Sequence, residues 1–211
     1  FGTDSALGVR PSDTYKFIII LSPTGPYYVA PMKILVEERY TRAAPGGAGF
    51  SKNAGNYAGS MVAATHARKN GYDQVLWTDA FEHKWLQEVG MMNVAFVINN
   101  TVITPSLEEG TILKGVTRDS VLTICRDMGI AVEERPISID EIIDAYKNKG
   151  LTEVFGMGTA ATIAMIQKLA YRETEMYFDT DHFTIAPKVR SILNDIREGK
   201  AEDKFGWMYK V

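Results

Sequence analysis

Residues 46–59 read GGAGFSKNAGNYAG: five glycines and one lysine, Lys52, directly ahead of a segment with helical periodicity. In YAGSMVAATHARKNGY (57–72) Met61, Ala64, Thr65 and Arg68 fall at helical spacing, and Gly71 supplies the stop. MKILVEERYTR (32–42) precedes the glycines as a strand-like run. Strand, glycine loop and helix therefore follow one another. A lysine buried among residues with almost no side chain would be desolvated, which favours the neutral, nucleophilic amine. Such an amine can join a carbonyl compound through a Schiff base and carry a proton in the same reaction. Small neighbours would also let backbone approach a flat ring closely. By residue type alone the commoner reading is a solvated lysine on a surface loop, and spacing does not choose between the two.

Outward from this stretch, strand and helix signals alternate without internal repeats. YKFIIILSP (15–23) is apolar and β-branched and predicts a buried strand, and SPTGPYYVAP (22–31), with three prolines and a glycine, predicts a linker and a domain boundary. QVLWTDA (74–80) reads as a strand, and NVAFVINNTVITP (93–105) as two strands joined at Asn99 and Asn100, since asparagine tolerates positive φ. VTRDSVLTICRDMG (116–129) predicts a helix with Thr117 near its start. SIDEIIDAYKNKG (138–150) carries a capping box, Ser138 with Glu141, and a stop at Gly150. TEVFGMGTAATIAMIQ (152–167) reads as strand, glycine turn, strand; TIAPKVRSILNDIREG (184–199) as a late helix with Pro187 in its first turn; and the aromatic tail DKFGWMYKV (203–211) as a segment that packs down. Hairpins among the helices argue for an α/β or α+β domain with mixed strands and flanking helices.

Composition bounds the partners. The chain has 211 residues, 45% of them hydrophobic and 23% charged, enough for one large domain or one plus part of another. A net charge of −3 with scattered acids and bases speaks against a nucleic-acid or anionic-membrane partner. The single Cys125 allows no internal disulfide, and with no signal peptide or long apolar span the expected location is cytoplasmic. His66, His83 and His182 have no ligand spacing, and the DTD at 179–181 lacks the glycine and distal glutamate of a calcium loop, so no metal is expected. The chain begins with Phe1 rather than Met, which suggests a loss upstream.

Four blocks in order, GGAGFSKNAGNYAGSMVAA, QVLWTDAFEHKWLQEVGMMNVAFV, GTILKGVTRDSVL and EVFGMGTAATIAMI, resemble the branched-chain aminotransferases of the fold-type IV pyridoxal 5'-phosphate enzymes. The likeness runs from about residue 5 to the C-terminal tail. It implies that Lys52 is the Schiff-base lysine, which also moves the proton between the substrate α-carbon and the cofactor. It implies further that Glu88 lies beside the pyridine nitrogen, where a carboxylate keeps that nitrogen protonated, and that Tyr57 hydrogen-bonds the ring's phenolic oxygen. Val116 and Thr117, at a helix N-terminus suited to an anion, match one phosphate-binding position, and Thr159 matches another. Thr159 and Ala160 match donors to the substrate carboxylate. Without the resemblance, Glu88 reads as a surface residue opening a turn, Tyr57 as a packing aromatic, Thr117 as a helix cap and Gly158 as a plain turn residue.

The chain departs from the family at Lys114, Met91 and Met157, which stand where proline, a small residue or threonine, and serine or threonine are usual. None removes a proposed catalytic group. On the resemblance, residues 1–21 are a remnant of the small N-terminal domain, 22–31 the interdomain loop and 32–211 the large cofactor-binding domain. The implied reaction is transamination of leucine, isoleucine or valine with 2-oxoglutarate by a homodimer. A fragment of this kind is expected to be inactive alone, because the cofactor lies between the two domains. Two competing expectations are a D-amino-acid aminotransferase or aminodeoxychorismate lyase of the same fold, and a non-catalytic structural or interaction domain.

Overall fold

The computed structural model describes residues 1–5, 7–23, 28 and 30–209. Nine strands and four helices alternate among them: β1 (Met32–Val36), α1 (Ala54–Lys69), β2 (Gln74–Thr78), β3 (Leu86–Val89), β4 (Met92–Ile98), β5 (Thr101–Thr104), α2 (Val116–Asp127), β6 (Ala131–Glu134), α3 (Ile139–Lys147), β7 (Leu151–Gly158), β8 (Thr162–Tyr171), β9 (Thr174–Tyr177) and α4 (Ile185–Arg197). The strands run in the order β3-β2-β1-β8-β7-β4-β5-β6, with β9 beside β8. A further pairing of β3 with β4 closes the first six into a ring. Parallel pairs (β1–β2, β1–β8, β5–β6) mix with antiparallel ones, as the hairpins predict.

Local chemistry explains most boundaries. Asn99 and Asn100 both adopt positive φ (50° and 63°), the requirement of a two-residue hairpin turn between β4 and β5. β4 is buried along nearly its whole length, so its apolar run is continuous rather than alternating. Ser138 accepts a hydrogen bond from Glu141 N at 3.1 Å, half of the expected capping box. The Glu141 carboxylate turns instead to Arg135, at 2.6 and 3.0 Å. The stop after α3 is Lys149 at φ 58°, not Gly150, which is glycine for another reason: a Cβ there would lie 2.8 Å from Asn99 Oδ1.

α1 buries Ala63 and Ala67 against Val75 and Trp77, while Met61 is exposed. Small residues, not large ones, bring this helix onto the sheet. The YKFIIILSP run is no buried strand: only Tyr15 pairs, with Gly2, and Phe17 and Leu21 are 89% and 90% exposed. A strand exists through its ladder, and no strand of the described residues lies beside 17–21. Of the expected linker, Thr24 to Tyr27 and Val29 lie outside the described residues.

The main core fills the space between sheet and helices. Val121, Leu122 and Ile124 of α2 and Val189 and Leu193 of α4 join Phe96 and Phe155 in one cluster. Phe205 and Trp207 of the tail stack at 4.4 Å and pack on that cluster, whereas Met208 and Tyr209 are exposed.

The loop from β2 to β3 is built on Asp79, whose carboxylate accepts from the N–H groups of Phe81, Glu82, Lys84 and Trp85 at 2.8–3.0 Å. Burial alone would raise this carboxyl, but the four donors overcome it and bring it from 3.8 down to about 2. Because the folded value lies below the unfolded one, the resulting stability is present above about pH 4 and is lost as the pH falls towards 2. We expect Asp79→Asn to lose about 2 kcal/mol at pH 7 and the loss to disappear near pH 2, measured by urea unfolding across that range. A pH-independent loss would refute the charge argument.

Candidate active site

Lys52 is carried by a loop with its own scaffold. Asn53 is the N-cap of α1 and accepts from Asn56 N at 3.1 Å, while Asn56 Nδ2 donates back to the carbonyls of Ala48 and Ser51 at 2.7 and 2.8 Å. The two asparagines thus fold the chain around Lys52. Gly49 has no room for a side chain, since a Cβ would lie 2.4 Å from Ala43 Cβ and 2.5 Å from Thr111 O. Lys52 Nζ stands 5.4 Å from the centre of the Tyr57 ring, a cation–π distance. Its side chain is exposed, the solvated alternative of the two open to residue type.

Glu88 is the opposite case. It sits in β3 with 5% exposure and is no surface turn residue. Its Oε1 accepts from Leu113 N at 2.9 Å, and its Oε2 lies 3.4 Å from Nη1 of the equally buried Arg42. Burial pushes the Glu88 carboxyl up, against the pull of the Arg42 guanidinium, the Leu113 N–H and the Lys52 amine. Glu88, Tyr57, Ser60, Met91 and Leu113 line one cleft with Arg42. Met91 is therefore at the site, 45% exposed on the turn from β3 to β4.

Sequence reasoning missed Arg42. It also donates to the carbonyls of Thr111 and Gly49, so one guanidinium ties the lysine loop, the carboxylate and the segment leading to α2. A buried carboxylate asks for a counter-charge, but no spacing rule points to a residue so far away in the chain.

Val116 and Thr117 form the first turn of α2. Its N-cap is Gly115, which makes no side-chain cap bond, so Thr117 is no cap and the opening N–H groups have no intrahelical partner. This turn reaches the cleft through Leu113, whose N–H goes to Glu88. Thr159 and Ala160 lie exposed in the turn after β7, at the same end of the sheet, because the end of β7 pairs with the start of β4 and the start of β4 with the end of β3. The structure brings Lys52, Tyr57 and Glu88 into one place, sets α2 beside them, and leaves Thr159 and Ala160 further along the same rim with no hydrogen bond to the other three.

The donor set fits pyridoxal 5'-phosphate: an amine for its aldehyde, a buried carboxylate for its ring nitrogen, a phenol, and a helix N-terminus with free N–H groups for its phosphate.

The sequence model of the class IV amino-transferases matches residues 1–169, and the chain belongs to that family. It is 48% identical over 216 aligned residues to the "probable branched-chain-amino-acid aminotransferase" of Staphylococcus epidermidis, an alignment covering all of this chain and 60% of the relative. The fold matches the branched-chain aminotransferase of Thermoproteus uzoniensis solved with norvaline, at a TM-score of 0.75 and 29% identity over 89% of this chain and 59% of that one. It also matches the branched-chain amino acid aminotransferase of Thermobaculum terrenum in its PLP form, at 0.65 and 26% over 82% and 52%. The chain thus spans about three fifths of the length of the curated relative. No helix of the described residues is long and apolar enough to cross a membrane.

Proposed function

We propose that this chain carries the cofactor-binding part of a branched-chain-amino-acid aminotransferase, with residues 32–211 as its large domain, 22–31 as an interdomain loop and 1–21 as the end of a small domain. The observation that carries the reading is the shared cleft of Tyr57 and Glu88, with the Lys52 amine 5.4 Å from the Tyr57 ring and α2 tethered through Leu113. Pyridoxal phosphate, when bound, supplies a conjugated ring that takes up the electron pair left when a Cα–H bond of the amino acid breaks. Lys52 Nζ is the amine that would hold the cofactor through its aldehyde, and the base that would accept the Cα proton of the substrate. The Glu88 carboxylate orients the ring and holds a proton at its nitrogen, while Tyr57 donates to its phenolic oxygen. The N–H groups of Val116 and Thr117, with Thr159, hold the phosphate, and Thr159 and Ala160 receive the substrate carboxylate.

The substrates under this reading are leucine, isoleucine or valine with 2-oxoglutarate, and the assembly is a cytoplasmic homodimer; the relatives' names support the branched-chain amino acids, and the resemblance supports the homodimer. The test is incubation with pyridoxal phosphate, borohydride reduction and peptide mapping. A single adduct on Lys52, absent in Lys52→Ala, is the expected result. An adduct spread over several surface lysines, unchanged in Lys52→Ala, would overturn the assignment.

A further inference from the structure

Asn93 stands directly opposite Glu88 in the β3–β4 pairing. The two side chains grip opposite ends of one residue: Leu113 N–H donates to Glu88 Oε1 at 2.9 Å, and Asn93 Nδ2 donates to Leu113 O at 2.9 Å. The other arm of the Asn93 amide presses on Gly115, where a Cβ would lie only 2.2 Å from Oδ1. Gly115 is the N-cap of α2, and a residue of any other type there would force the amide away. Asn93 is 6% exposed and contacts neither Lys52 nor Tyr57 among the hydrogen bonds of the site.

We infer that Asn93 is a positioning residue that, resting on the cofactor reading above, sets the N-terminus of α2 at the height and angle at which the Val116 and Thr117 N–H groups meet the phosphate. Glu88 and Asn93 form a single rung of the β3–β4 ladder, so the ring-nitrogen partner and the phosphate-binding helix are referenced to the same two strands. Donors to an anion are effective only when preorganised, because the free N–H groups of a displaced turn point to water instead. An asparagine acting only as mortar would affect every ligand alike. One acting through α2 distinguishes ligands by their phosphate.

The test compares the affinities of pyridoxal 5'-phosphate and pyridoxal, which lacks the phosphate, by equilibrium dialysis, with folding followed by circular dichroism. The unaltered chain should prefer the phosphate ester. In Asn93→Ala that preference should fall about tenfold, the weight of a hydrogen bond or two, with the affinity for pyridoxal unchanged. Gly115→Ala, which displaces the Asn93 amide without removing its donor, should do the same and serves if Asn93→Ala does not fold. An equal loss for both ligands, or none for either, overturns the inference. A chain that binds neither compound removes the cofactor reading itself, an outcome visible before any variant is made.

Discussion

Replacing Glu153 by alanine should cost about 4 kcal/mol of folding free energy, a large part of the stability of a domain this size. Glu153 lies in β7 with 2% exposure, and its carboxylate is spent on the first turn of α4. Oε1 accepts from Thr184 N at 2.7 Å, Thr184 Oγ1 at 3.1 Å and Ile185 N at 2.8 Å, and Oε2 accepts from Ala186 N at 2.8 Å. A helix start leaves four N–H positions without intrahelical partners. Here three go to Glu153 and the fourth is Pro187, which has no N–H. Thr184 makes no side-chain cap bond, so the strand carboxylate is the cap, and its charge also suits the positive end of the helix dipole. Alanine would leave two buried donors, Ile185 N and Ala186 N, and the part-buried Thr184 N unsatisfied at about 1–3 kcal/mol each, reduced by local relaxation. Glutamine keeps one acceptor and should lose about 2 kcal/mol. Urea unfolding measures both, and a loss below 1 kcal/mol for Glu153→Ala would show that water replaces the cap freely.

The second large effect concerns the pair at the candidate site. Arg42→Met should destabilise the chain by about 3 kcal/mol at pH 7, because it leaves a buried carboxylate without its nearest counter-charge. The loss should depend on pH in a definite sense. Burial already holds the Glu88 carboxyl above its ordinary value of 4.5, and removing Arg42 takes away the largest opposing pull. A group whose folded value is raised contributes fully below the unfolded value, and that contribution is lost as the pH rises through the folded one. The penalty of Arg42→Met should therefore grow as the pH rises through the folded value of Glu88, which burial holds above 4.5, and shrink on acidification. Combining it with Glu88→Gln should remove the pH dependence, as coupled neighbours require. If the penalty is the same at pH 5 and pH 7, the lost contacts to the Gly49 and Thr111 carbonyls, and not the charge pair, would be its source.

Much of the architecture was legible in the residues because it is decided over a few positions. The Asn99–Asn100 turn follows from the tolerance of asparagine for positive φ, the start of α3 from the Ser138 hydroxyl, and the entry to α4 from Pro187. Lys52, Tyr57 and Glu88 were singled out through ordered blocks of resemblance; Tyr57 and Glu88 line one cleft, and the Lys52 amine stands 5.4 Å from the Tyr57 ring. The short β3, β6 and β9 escaped notice, since four residues carry too little periodicity to announce a strand.

What the sequence by itself determined, then, is the order of elements, the turns and caps within a few residues of one another, and the membership of a family. Tertiary structure alone decided which polar groups are removed from water and which partners meet them there. Arg42 reaches Glu88, Asn93 and Glu88 hold Leu113, and Glu153 caps a helix more than thirty residues further along. It also decided that 17–21, with every compositional mark of a strand, is exposed, while Glu88, a residue type of surfaces, is buried. Desolvation and strand pairing are properties of neighbours in space, and the closure of β3 onto β4 supplies neighbours that no local spacing can specify.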